Sequence, residues 1–280
     1  MEHSDNVNKE SSNNNETKQS EKKTYDFDKL QLYFAEPYAV QKKDNEGNVI
    51  SEIIINQPTI GDIISVGEGS FYNTLYTFVL NTTSYRLQLW DMGVDWNKIS
   101  DYELFCMLIK NINPEVTQLF FKGINFTEFE LYNKKISEDS DEQVITLFNP
   151  EQGIEIDEET YTHIAQYLRT MFNIFPKVEK AKGKTTKQWL IEEEREKLRV
   201  QKNENGSKSM LLPLVSAYLN HPGTKYKKYE LKEIGIYEFM DGIQRIQIYE
   251  STISLMGGMY SGMVDTKGID KEAFNFMREN

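Results

Sequence analysis

The sequence is poor in the residues that most often carry chemistry. Cysteine occurs once, as Cys106, which excludes an intrachain disulfide and a thiolate metal cluster. It lies in the apolar helical pattern from Leu104 to Leu108. That setting reads as a buried structural thiol rather than a nucleophile, which needs a polarising partner and access. The 3 histidines, His3, His163 and His221, form no H-x-x-x-H pair, so a histidine-rich metal site has no foothold. No serine has a G-x-S-x-G setting, which removes the usual start of a hydrolase triad. No apolar run approaches the roughly 20 residues of a membrane span. No repeat of fixed period is present, so solenoid and propeller readings fall. The polar N-terminus lacks the apolar centre of a signal peptide, and a cytoplasm is the expected location. Basic residues are the scarcer sign: 32 Lys and Arg against 44 Asp and Glu leave a net charge of −12. Nucleic acid is therefore an unlikely partner, because phosphate neutralisation needs clustered Lys and Arg. The exception is local. Basic residues outnumber acidic ones from Lys177 to Lys202, opposite an acidic stretch from Glu128 to Glu159, an asymmetry that can serve self-association or a partner as readily as a polyanion.

Aromatic residues are abundant, at 12% of the chain, and the mean hydropathy of −0.60 sets them under a polar surface. A chain of 280 residues can bury a real core as one large domain or two small ones. The expected fold is mainly α with a small β component (α+β), an N-terminal β-hairpin packed on a multi-helix bundle. Its expected parts are a disordered polar tail over residues 1–24, a hairpin-plus-helical N-terminal domain over 25–176, a charged helical linker over 177–206 and a helical C-terminal domain over 207–280. Strand-like residues 25–40 and Val49–Asn56 flank a turn at Gly47. Thr59, Ser70, Thr83 or Ser84, Ser100 and Asp157 stand where helix caps belong, and Pro114 suits a first turn. Tyr161, Ile164, Leu168, Met171 and Phe172 share one face of a helix. Two short strands flank the acidic loop at Glu138–Glu142. The charged helix near Trp189, capped by Thr185 or Thr186, has few apolar anchors and is expected to project or hinge. Gly257-Gly258 is expected to break the long helix that precedes it.

Several motifs invite a chemical reading and are set against a plainer one. Gly183-Lys184-Thr185 ends like a phosphate loop, but the position that needs the first glycine is Val178 and a helix, not a strand, precedes it. A solvated basic turn is the reading taken. Gly67-Glu68-Gly69 lacks the third glycine and the preceding strand of a dinucleotide loop, and reads as a helix break. The cluster Glu138 to Glu142 lacks the glycine and ligand spacing of a calcium loop. Asp91 and Asp95 could do acid–base work, yet capping is the commoner role of such residues. No residue is assigned as catalytic, cofactor-binding or metal-binding, and no cofactor is expected.

The runs QPTIGDIISVGEGSFY and LQLWDMGVDWNKISDYELFCMLI and the ending GGMYSGMVDTKGIDKEAFNFMREN resemble proteins of the tail genes of long-tailed bacteriophages, nearest to the tail assembly chaperone type. The resemblance covers the chain from about Tyr25 to Met277. It implies a non-enzymatic assembly factor that binds the tape-measure protein and keeps it soluble while tail-tube subunits polymerise. Its place would be the host cytoplasm, not the finished virion. This chain is longer than the compact chaperones of that type. The alternative is a virion-resident structural protein, such as a baseplate, neck or connector component.

Overall fold

The computed structural model describes residues 23–44, 46–135, 143–204 and 208–278. The expected tail up to residue 22 and the acidic cluster Glu138–Glu142 lie outside the described residues. The fold is α+β and mostly helical: among the described residues, ten α-helices accompany one two-stranded and one three-stranded antiparallel sheet.

The chain opens with a correction. The stretch expected to be strand from residue 25 contains a helix, α1 (Lys29–Tyr33), because the Asp28 carboxylate accepts from the amides of Leu30 and Gln31 and turns the backbone. Ala35, at φ 55°, ends it, Pro37 disfavours helix at Glu36 before it, and the chain is strand from Tyr38. The hairpin then forms from β1 (Tyr38–Lys43) and β2 (Val49–Ile55), with Tyr38 opposite Ile55 and Gly47 at φ 90° in the turn. Val40, Ile53 and Ile55 face inward, and an isolated hairpin needs that packing to persist.

Thr59 and Ser100 build full capping boxes with Asp62 and Glu103, and so begin α2 (Ile60–Val66) and α5 (Asp101–Leu108). Between them lie α3 (Glu68–Val79) and α4 (Arg86–Asp91). Here two expected caps fail. Helix α3 starts two residues ahead of Ser70, directly after Gly67, and α4 starts after Tyr85 rather than at Thr83 or Ser84. The Ser84 amide and hydroxyl instead bond to the Asn81 side chain. Asn113 caps α6 (Pro114–Phe120), with Pro114 in its first turn. Strands β3 (Glu130–Lys135), β4 (Gln143–Asn149) and β5 (Ile154–Ile156) form the second sheet, β4 central. Asp157 caps α7 (Glu158–Phe172), whose inward stripe packs on α3.

The main core is aromatic. Phe78 sits 5.2 Å from each of Phe105, Phe121 and Phe126 by ring centroids, and Tyr161 stacks on Phe105 at 4.7 Å. Each such buried ring removes apolar area worth about 1.5–3 kcal/mol. This core continues to Phe239, so residues before and after the charged segment share it. The joint is the Asn56–Ile60 stretch. Ile236 N–H donates to the Pro58 carbonyl (3.0 Å) and Ile60 N–H to that of Ile234 (3.2 Å). Gln57 donates to the Leu32 carbonyl (2.8 Å) and accepts from Tyr237 N–H (3.0 Å).

The charged helix, α8 (Lys184–Glu204), corrects two more expectations. It begins at Lys184, so Thr185 and Thr186 lie inside it rather than cap it. Its first half does not project: Leu190 and Ile191 are buried in a second cluster with Leu87, Leu89, Trp96 and Leu104. Arg86 pairs with Glu194, Asp95 with Lys187 (2.6 Å) and Asp91 with Arg195 (2.5 Å). From Arg195 to Val200 every side chain is exposed. After α9 (Leu211–Asn220), α10 (Ile236–Tyr260) runs straight through Gly257-Gly258, where a break was expected. Gly258 serves close packing instead, since a Cβ there would lie 2.6 Å from Val264 Cγ2. The helix ends before Gly262, at φ 70°.

A candidate docking groove

Helix α1, the end of α7 and the first half of α10 meet around an open concavity of about 570 Å³. Met171 and Met240 lie along it, and Leu30, Tyr33, Phe34 and Phe175 form its walls. The local chain makes these walls. The Asp28 cap and the left-handed turn at Ala35 present Leu30 and Phe34 outward while Leu32 goes into the core. Asn173, at φ 53°, ends α7 and carries the chain on to Phe175. Leu30, Phe34 and Phe175 are 66%, 67% and 66% exposed. Three large side chains left in water around one concavity make it the candidate contact surface.

The charges of the groove are largely matched to one another. Asp241 pairs with Arg245 at 3.4 Å, and Arg245 also donates to the Arg278 carbonyl at 2.8 Å. The Tyr33 hydroxyl is held above its ordinary range by burial and then by the Glu238 and Asp241 carboxylates. What the groove offers is an apolar bed of Leu30, Phe34, Met171, Phe175 and Met240 interspersed with Lys29, Asn173, Asp241, Gln244 and Arg245.

The residues weighed for chemistry lie elsewhere and apart. Burial pushes the Cys106 thiol up to about 11, and it packs in the core. The Lys187 ammonium holds the Asp95 carboxyl below its usual range, while Asp91 pairs with Arg195. Both aspartates anchor α8. Gly183-Lys184-Thr185 is the exposed start of α8, preceded by irregular chain rather than a strand. Gly67, at φ 84°, joins α2 to α3. His221 meets Glu250 at 3.0 Å. His163 stacks on Tyr25 at 3.8 Å and meets the Tyr38 hydroxyl at 2.7 Å. Among the described residues, no three His, Cys, Asp or Glu side chains converge as a metal site. No helix among them is long and apolar enough to cross a membrane. The groove escaped the sequence because Leu30, Phe34 and Phe175 carry no motif. The signals available, Asp28 as a cap and Pro37 as a stop, locate α1 but not its outward face. Comparison of the chain with protein-family models, curated proteins and solved structures finds no match.

Proposed function

We propose that the protein is a non-enzymatic assembly factor of a long-tailed bacteriophage. In this reading it acts as a tail assembly chaperone, binding the tape-measure protein and tail-tube subunits in the host cytoplasm. Two things support the reading: the resemblance of the three quoted runs to phage tail proteins, and the exposed apolar groove. The groove carries the mechanistic part. A long helical client exposes apolar stripes before assembly, and a concavity walled by Phe34 and Phe175 suits such a stripe, as helix-in-groove recognition requires.

The test is co-expression with the tape-measure protein. The wild-type chain should co-purify with it. Phe34→Glu and Phe175→Glu should abolish capture while leaving the circular dichroism spectrum unchanged, since both positions are exposed. Loss of capture by neither variant would remove the groove from the mechanism. Mass spectrometry of purified virions decides the wider question. Fixed copy number there would replace the chaperone reading with the virion-resident baseplate, neck or connector component.

A further inference from the structure

We infer that two copies of this chain pair through α8 and the lysine-rich segment that leads into it. Four exposed lysines, Lys177, Lys180, Lys182 and Lys184, lie at or before the start of α8. No carboxylate among the described residues is within ion-pairing distance of any of them. The first turn of the helix has no acidic residue either. That arrangement works against the helix dipole, whose N-terminal end favours negative charge. The segment therefore presents positive charge that no carboxylate among the described residues of the same copy offsets.

The outer face of α8 carries carboxylates and an exposed aromatic anchor. Leu190, Ile191 and Glu194 turn inward, which leaves Trp189, Glu192, Glu193, Glu196, Lys197 and Val200 along the outer face of this one helix. Glu193 pairs with Lys197 (2.6 Å) and Glu196 with Arg199 (3.3 Å), exposed intrahelical pairs worth little, so these carboxylates are open to exchange with lysines of a second copy. Trp189 is 62% exposed and Val200 46%. An exposed tryptophan beside carboxylates suits an interface anchor. The lysine segment carries its own exposed apolar residue, Val178, at 66%. Both strips belong to one chain and adjoin in sequence. Two-fold antiparallel pairing of two copies therefore makes each lysine-to-glutamate contact twice, the self-complementary pattern of an isologous dimer. Neither strip gains this from a copy's overall charge of −12, which repels at long range and is screened beyond about 8 Å at physiological salt.

The experiment is sedimentation of the full chain over a concentration series, with two charge-reversed chains. Wild type should dimerise, and rising salt should weaken the dimer. Glu192→Lys/Glu196→Lys and Lys180→Glu/Lys182→Glu should each raise the dissociation constant at least about tenfold. Mixing the two reversed chains should restore a heterodimer. A wild-type chain that stays monomeric, with its lysines taking some other polyanion, overturns the inference. So does a dimer that survives both reversals, or reversed chains that fail to pair with each other. Circular dichroism checks that the variants fold. If one does not, the salt dependence of the wild-type dimer still decides, because an apolar interface would hold or tighten as salt rises.

Discussion

Replacing Tyr102 by Phe deletes one oxygen atom and leaves the ring in place. Tyr102 is 4% exposed, and its hydroxyl donates to the Ile156 carbonyl at 2.6 Å and accepts from Leu147 N–H at 3.2 Å. These backbone groups face each other across β4 and β5, so the hydroxyl ties α5 into the inner edge of the sheet. Burial, and then the neighbouring Cys106, hold the hydroxyl above its ordinary pKa, so it stays protonated and able to donate. Without it, a buried carbonyl and a buried amide each lose a partner, at about 1–3 kcal/mol per group. Allowing for partial closure of the strands, the expected loss is about 2–4 kcal/mol. The comparison that isolates this effect is Tyr161→Phe. The Tyr161 hydroxyl has no hydrogen-bond partner among the described residues, and its ring contact with Phe105 survives the change. That variant should fall within about 1 kcal/mol of wild type. Urea unfolding followed by circular dichroism measures both, and hydrogen exchange at the Leu147 amide should quicken only in Tyr102→Phe. Equal costs for the two variants would refute the bridging role.

Three further expectations follow from close contacts and from charge. Gly235→Ala would put a Cβ 2.1 Å from Gln57 Oε1, forcing the amide off Leu32 and Tyr237. It should cost about 1–3 kcal/mol, part of which Gln57→Ala in the same chain should recover, as a double-mutant cycle would show. Lys42 lies 2.5 Å from Glu155 and 2.6 Å from Asp157. Burial alone would raise the Asp157 carboxyl, but Lys42 and the Thr160 amide outweigh it and hold it below its ordinary value. The stability it contributes is complete above the unfolded value near 3.8 and is lost as pH falls through the lower folded value. Lys42→Met should therefore lose about 1–3 kcal/mol at pH 7, with its gap from wild type closing as pH falls through the lowered folded value. A gap constant with pH would show that the loss is one of packing. For His163, burial and then Lys23 lower the ring's pKa below 6.5, while Glu159 opposes them. The neutral ring contributes stability above the unfolded value that is lost as pH falls through the folded one. Thermal unfolding from pH 7 to pH 5 should show this loss, and His163→Gln should flatten it; an unchanged slope would place the titration elsewhere.

What was legible in the sequence was local, and it was legible because its chemistry closes within a few residues. Thr59 with Asp62 and Ser100 with Glu103 satisfy orphan amides inside one turn, so their spacing alone declares them. The stripe from Tyr161 to Phe172 is equally self-contained. The failures required distant partners. In Trp189-Leu190-Ile191 three adjacent apolar residues split, two into the cluster around Trp96 and one into water, and only the position of α4 decides which. Gly257-Gly258 reads as a break until Val264 folds back onto Gly258. Gln57 binds Tyr237 from 180 positions away, a pairing that no window along the chain can reveal. Leu30 and Phe34 belong to the same class: their patterns say apolar, while outward orientation follows from the turn at Ala35.

The two surfaces read as contacts differ in physical origin, and that difference makes them separable. The groove is walled by Leu30, Phe34 and Phe175, and its Asp241–Arg245 pair is internally matched. Binding there buries apolar area, which added salt does not weaken. The pairing proposed for α8 rests on lysines that lack carboxylate partners among the described residues and on Glu192 and Glu196, so screening acts on it directly. Raising ionic strength should therefore release one copy from another before it releases a client from the groove. A protein that holds its client as a monomer in high salt and as a dimer in low salt has two independent faces. If client and second copy are lost together, they share one surface, and the α8 helix rather than the groove is where the client binds.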